Sequence, residues 1–264
     1  MAKREHNERV LLIFSHPDDE SYGCGGTMAK YVQEGNTDVF LLTLTRGEAS
    51  SQGQKLGLTK EQMGEKRSAE IREVARIYGL TELFLLDFPD SQLETLDPCE
   101  LEGAISKIVK QVEPQVIISF PPHGISGFVD HIITHAVVKR VFVELRETTR
   151  YLRRFAMQCV PDTVAGMMER HIHTELVDKI DCRIHVEPYL EFKRRGLEVQ
   201  KSIAEVIARD NANNALMQPN EYYRFFKERF VPPVEDLFAN LRARRRASNR
   251  GAGTSVRPWR IGST

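Results

Sequence analysis

No segment of the 264-residue chain approaches the roughly 18–20 consecutive apolar residues of a membrane-spanning helix. The opening MAKREHNERV is charged and leads straight into the first apolar run, with no apolar leader core, so neither a span nor a secretory signal is expected. Charge of either sign is not in excess, since Lys plus Arg and Asp plus Glu number 37 each. That balance removes the electrostatic case for nucleic acid or an anionic membrane as partner. Cysteine is sparse: Cys24, Cys99, Cys159 and Cys182 lie far apart, without a CxxC pair. Buried free thiols in a reducing, cytoplasmic setting are the expectation, against a disulfide pair or a metal site. Also missing are an internal repeat and a GxGxxG after the first apolar run, which argues against a dinucleotide-dependent oxidoreductase.

What is present is an ordinary globular composition, 41% hydrophobic and 28% charged. Four short apolar runs, Val10–Ser15, Val39–Leu44, Leu83–Leu86 and Val116–Phe120, fit strands buried on both faces of a parallel sheet. Helical patterns follow them over Thr27–Gln33, Glu61–Tyr78, Leu101–Val112 and about Asp130–Arg146. In the second, Ala69, Ile71, Val74, Ala75, Ile77 and Tyr78 mark an apolar face and Gly79 a stop. Alternation of strand and helix predicts a Rossmann-like, doubly wound, mostly parallel sheet with helices on both faces. Beyond residue 150 the pattern loosens. Arg154–Val160 and Glu175–Ile180 suggest strands, Tyr189–Ala208 a helix, and 221–246 one or two helices. An aromatic stripe there (Tyr222, Tyr223, Phe225, Phe226, Phe230) suits core packing better than a ligand box. A single domain over 1–240 is expected, with a core at 9–146 and an extension at 147–240. Residues 241–264, basic and then Gly/Ser-rich, read as a mobile tail.

Chemistry concentrates at two strand ends. The first run closes on Ser15-His16-Pro17-Asp18-Asp19-Glu20, and the fourth leads through PPHGISGFV to Asp130-His131. In the common strand order 3-2-1-4 these ends are neighbours, at the switch point where open α/β sheets bind ligands. His16 and Asp19, three apart across a turn held by Pro17, can both face that crevice, and His131 can supply a third ligand from the opposite wall. Two imidazoles and a carboxylate suit a divalent metal, zinc foremost and Fe2+ as an alternative, with a position left for water. Asp18 then stands beside the ion, placed to take a proton from water. The competing explanation is a helix N-cap, for which Asp at a strand-to-helix turn is common. It leaves three acids and an imidazole packed into five residues without a counter-charge.

FSHPDDE, followed by GCGGTMAKYVQEG and LLTLTRGEAS, resembles the opening of the LmbE-like, or PIG-L-type, N-acetylglucosaminyl deacetylases. KRSAEIREVARIYGL resembles that family's R-x-x-E helix through Arg67 and Glu70. LFLLDFPDSQL is similar to its third strand, and GISGFVDHIITH to its G-H-P-D-H segment. The likeness runs from about residue 9 to 140, with a fainter echo at Lys193–Ser202. It implies a zinc-dependent hydrolase with a Rossmann-like core that removes an N-acyl group from an amino sugar or glycoconjugate. It makes His16, Asp19 and His131 the metal ligands, Asp18 the general base, and Asp130 a residue that orients an imidazole or the base. Arg67 would bind substrate oxygens and Asp90 line the pocket. Arg46 and Glu48 are weaker candidates, and a solvated helix face is the plain alternative for Arg67.

One departure stands out. The first His of the family's H-P-D-H falls on Phe128 and its Pro on Val129, while Gln200 stands where relatives often carry His. Phenylalanine can neither donate a hydrogen bond nor carry a proton. His123 is the first candidate to replace the lost donor and His135 the second. The alternative function is a metal- or sugar-binding protein that has lost catalysis, and a non-haem iron triad is the other chemistry two His and a carboxylate describe. The substrate class expected is a small amino sugar or glycoconjugate, with homo-oligomerisation left open.

Overall fold

The computed structural model describes residues 7–167 and 171–241. In chain order its elements are β1 (Glu8–Phe14), α1 (Asp19–Glu34), β2 (Thr37–Thr45), α2 (Gln52–Lys55), α3 (Lys60–Tyr78), β3 (Glu82–Phe88), α4 (Pro98–Val112) and β4 (Val116–Ser119). They continue with α5 (Val129–Thr148), β5 (Arg154–Cys159), α6 (Asp162–Ala165), β6 (Cys182–His185), α7 (Leu190–Glu198), α8 (Ala204–Asp210) and β7 (Asn220–Phe225). The strands form one sheet in the order β3-β2-β1-β4-β5-β7-β6. Its first five members run parallel, and β7 pairs antiparallel with both β5 and β6. The four apolar runs are thus the parallel centre, in the expected 3-2-1-4 order, and the sheet is doubly wound.

Alternate residues of β1 feed two cores. Leu12 and Phe14 pack with Met28, Ile71 and Tyr78 from α1 and α3. Leu11 and Ile13 pack with Ile105, Val109, Val138 and Phe142 from α4 and α5. Both faces being apolar is why these strands read as unbroken hydrophobic runs. Helix α1 begins at Asp19, eight residues before the sequence pattern for it. Its glycines disguise the start and also explain it: a Cβ on Gly26 would stand 2.5 Å from Val186 Cβ, so only glycine admits that close contact.

The C-terminal expectations need correction. Glu175–Ile180 is not a strand. Glu175 makes one bridge with Pro161, Val177–Lys179 forms a 3-10 turn, and the strand comes later as β6. The helix expected over Tyr189–Ala208 breaks after α7, because Gln200 (φ −81°, ψ 59°) leaves helical geometry before α8. The helices expected from 221 are absent among the described residues. Asn220–Phe225 is β7, in which Glu221, Tyr223 and Phe225 point inward alternately. Tyr and Phe suit a half-buried strand, and two consecutive aromatic pairs mimic helical spacing. Tyr223 and Phe225 do belong to the core. In α3, Ala69 is exposed, and Arg67 and Glu70 take buried positions. Cys24, Cys159 and Cys182 are buried free thiols, but Cys99 is exposed, in the first turn of α4 beside its capping Asp97. The expected tail from Arg242 onward lies outside the described residues. No helix among the described residues is long and apolar enough to cross a membrane.

Candidate active site

The carboxyl ends of β1 and β4 are pinned before their loops begin. Ser119 Oγ donates to the Ile13 carbonyl at 2.7 Å, and Ser15 Oγ lies 2.8 Å from Thr134 Oγ1 on α5. From this anchor His16-Pro17-Asp18 turns into α1. Asp18 has φ 124°, a conformation a non-glycine residue holds only when its surroundings impose it. Its N–H donates to Glu20 Oε2 at 3.0 Å, and its Oδ2 lies 3.3 Å from Arg67 Nη2.

Three side chains converge beside it. Asp19 accepts from the His16 N–H at 2.8 Å through Oδ2, and His16 Nδ1 lies 3.4 Å from that oxygen. His131 Nε2 is 3.2 Å from Asp19 Oδ1 and 3.2 Å from His16 Nδ1. His16, Asp19 and His131 therefore form a group able to hold a metal ion. The far side of each ring fits that role. His131 Nδ1 lies 2.9 Å from the Gly124 carbonyl, so it carries the proton and Nε2 keeps its lone pair for a cation. Phe120 stacks on the same ring at 4.0 Å. Gly124 sits at φ +62°, and a Cβ there would be 2.6 Å from His131 Cβ, so the residue type is dictated by this contact.

His16 Nε2 faces Asp130 Oδ2 and Asp90 Oδ1, each 3.1 Å away. Asp130 also accepts from the N–H groups of Ser91 (2.8 Å) and Leu93 (3.2 Å), and Asp90 from Ala49 N at 2.7 Å. His16, Asp90 and Asp130 are close enough to form a second cation group. Both acids are already engaged by backbone donors, and a proton on Nε2 serves them together while freeing Nδ1. Burial opposes protonation of His16, but Asp130, Asp19 and Asp90 outweigh it and raise its pKa well above the ordinary value. Burial likewise works to raise Asp19, yet His131 and His16 hold its carboxyl well below the usual range. Asp18 is pushed up to about 6 by burial, with Arg67 opposing. Four aspartates around two imidazoles leave an excess of negative charge that a bound cation would neutralise.

The triad opens into a cavity of about 590 Å³, a size typical of small-molecule sites. His16, Asp18, Asp19, Arg67, Asp90, Asp130 and His131 all line it. Arg67 is not on a solvated face. It is buried, donates to the carbonyls of Gly47 (3.0 Å) and Pro17, and pairs with Asp18. Arg46 lies outside the cavity lining and forms a two-pronged pair with Glu61 at 2.9 and 3.1 Å. Glu48 accepts from Asp90 N at 2.8 Å. His123 accepts from Ile125 N at 3.1 Å through Nδ1 and has its ring 5.0 Å from that of His173. His135 Nδ1 lies 2.9 Å from the Phe120 carbonyl, facing the core. Among the described residues, the histidines that line the cavity are His16 and His131.

Sequence reasoning missed two supports. Gly124 and Ser126 hold His131 from behind, Ser126 Oγ at 3.1 Å from Nδ1, and the signal was the glycine-flanked PPHGISG loop. Glu20, fully buried and pushed up to about 7 by burial, holds the backbone of Asp18. Gln200 in turn reaches Glu20 Oε1 at 3.3 Å and Ser21 Oγ at 3.2 Å.

A family model described as PIG-L, GlcNAc-PI de-N-acetylase, matches residues 11–142. A Bacillus anthracis protein, "Probable N-acetyl-alpha-D-glucosaminyl L-malate deacetylase 2", is 35% identical over 54% of this chain and 64% of its own length. A Streptomyces avermitilis protein, "1D-myo-inositol 2-acetamido-2-deoxy-alpha-D-glucopyranoside deacetylase", is 31% identical over 89% of this chain and 98% of its own. Several further relatives are matched over about half their length, 47% and 52% in two cases. Among solved structures, the N,N'-diacetylchitobiose deacetylase of Pyrococcus horikoshii superposes with a TM-score of 0.63 at 18% identity, over 83% of this chain and 84% of that one. At that identity the likeness is one of fold.

Proposed function

The chain belongs to the PIG-L family, and on that premise we propose that it is a metal-dependent N-deacetylase of a small amino sugar or glycoconjugate. The observation that carries this reading is the convergence of His16 Nδ1, Asp19 and His131 Nε2 at the base of a cavity, with Asp18 beside them. Zinc fits the two-imidazole, one-carboxylate donor set. A divalent ion held there supplies Lewis acidity toward the acyl carbonyl and a lowered pKa for water. Asp18 takes the proton of the attacking water and returns it to the amine nitrogen as the C–N bond breaks, giving acetate and a free amino sugar. Arg67 holds the Asp18 carboxylate in place and can reach substrate oxygens from the cavity wall. Asp130 and Asp90 hold His16 through Nε2. Neither His123 nor His135 lines the cavity, so proton return is assigned to Asp18 in preference to either. The free cysteines suit a reducing, cytoplasmic setting.

The test joins metal content to turnover. Purified protein should carry about one equivalent of metal and release acetate from N-acetylglucosaminides, with both lost after chelation and in His16→Ala or His131→Ala. Stoichiometric metal persisting in both variants would overturn the ligand assignment. Acetate release unaffected by chelation would overturn the metal dependence.

A further inference from the structure

The cavity has two unlike walls. The triad is at its base, with the His131 and Asp19 side chains only 8% and 10% exposed. At the rim Phe128 and Val129 are 57% and 50% exposed. Folding does not account for them. Phe128 is the N-cap of α5, makes no side-chain capping bond, and occupies a position where Ser, Thr, Asp or Asn stabilises a helix. One edge of its ring meets His131, centroids 5.5 Å apart, and the rest stays open toward the cavity mouth. Ile125, Val160 and Ile172 continue the apolar lining. Their strands of chain are joined: His173 N donates to the Ile125 carbonyl at 2.7 Å, and Glu175 N to the Val160 carbonyl at 2.8 Å.

Large apolar side chains this open to water, inside a ligand cavity, gain free energy only when an apolar group covers them. In the proposed reaction the acyl group must reach the triad at the base. The sugar follows outward, and what meets the rim is the substituent on its far side. We infer that the substrate carries an apolar aglycone, an alkyl or aryl group on the sugar, seated against Phe128, Val129, Ile125, Val160 and Ile172. This inference rests on the deacetylase reading and names the substrate class for the same site.

The test compares hexyl and methyl glycosides of N-acetylglucosamine, its myo-inositol glycoside, and N-hexanoylglucosamine, by turnover and by calorimetric binding to the metal-loaded protein. The hexyl glycoside should exceed the methyl and inositol glycosides at least tenfold in kcat/KM. That ratio should fall at least fivefold in Phe128→Asn, and part-way in Val129→Thr, with metal content retained. Equal kcat/KM across the three glycosides, or a gain confined to N-hexanoylglucosamine, would overturn the inference. If no compound is turned over, the deacetylase reading fails and binding decides the rest. Tighter hexyl-glycoside binding that is lost in Phe128→Asn sustains the apolar site, and equal binding of all three glycosides overturns it.

Discussion

At His16 the two ring nitrogens face different partners, Nδ1 toward Asp19 and His131 and Nε2 toward Asp90 and Asp130. Asp18 is set apart from both groups by its backbone, which turns at φ 124° while Asp19 enters the helix. Adjacent residues of the same type thereby face different partners, Asp18 the Arg67 guanidinium and Asp19 the two imidazoles. Asp18→Asn should keep metal while losing at least about a hundredfold in turnover, the usual scale for removal of a general base. Metal analysis and acetate release on the same preparation check it, and loss of metal with activity would make Asp18 a ligand. His16, Asp18, Asp19 and His131 were legible in the sequence because the strand-end rule brings two distant clusters to one crevice. The partners behind them were not. Gly124 acts through a carbonyl that any residue carries, so its glycine signals the close approach of His131 but not the hydrogen bond, and Glu20 acts as acceptor for a backbone N–H, which spacing does not reveal.

Among the elements, α5 concentrates the demands of site and fold. It presents His131 and Asp130 to the cavity in its first turn and Val138 and Phe142 to the core further on. Its N-cap is the weak point, since Phe128 leaves the first backbone N–H groups without a side-chain acceptor. Phe128→Asn should stabilise the protein by roughly 0.5–2 kcal/mol, the range for restoring a polar cap. A denaturant titration checks this, and an unchanged or lower midpoint would show that the apolar contact of Phe128 outweighs a cap. The same variant is expected to lose selectivity for an alkyl glycoside, so stability and fit should move in opposite directions. The parallel strands were readable because the centres of β1, β2 and β4 are short apolar runs, and α4 because it is cleanly periodic, whereas α3 showed its length but not that Arg67 and Glu70 lie on its buried side. The elements after residue 160 were not readable, because β7 borrows its spacing from paired aromatics and α7 stops at a residue with no helix-breaking signature.

For the whole molecule, the sheet is extended beyond β5 by an antiparallel pair, β7 and β6. Arg154, at the start of β5 and fully buried, pairs with Glu228 and donates to the carbonyls of Leu237 and Ala239. Its guanidinium lies 4.1 Å from the centre of the Phe225 ring. Removing one member of a buried pair strands the other, so Arg154→Ala should cost about 3–5 kcal/mol. Urea unfolding would show it, and a loss below about 1 kcal/mol would mean that water replaces the guanidinium. Between β5 and β7 the chain makes a long excursion, residues 160–219, which returns to the very strand it left. Among the described residues, those grouped closely enough to hold a cation, His16, Asp19, Asp90, Asp130 and His131, come before this detour. Val160, Ile172, Ile203, Val206, Arg209 and Leu216, which also line the cavity, all come from within it. The candidate metal ligands therefore lie wholly in the earlier stretch, while the apolar lining is shared, with Ile125, Phe128 and Val129 from before the detour and Val160 and Ile172 from within it. Exchanging the later stretch between relatives would redraw one part of the wall that meets the substrate and leave the candidate metal ligands and Phe128 in place.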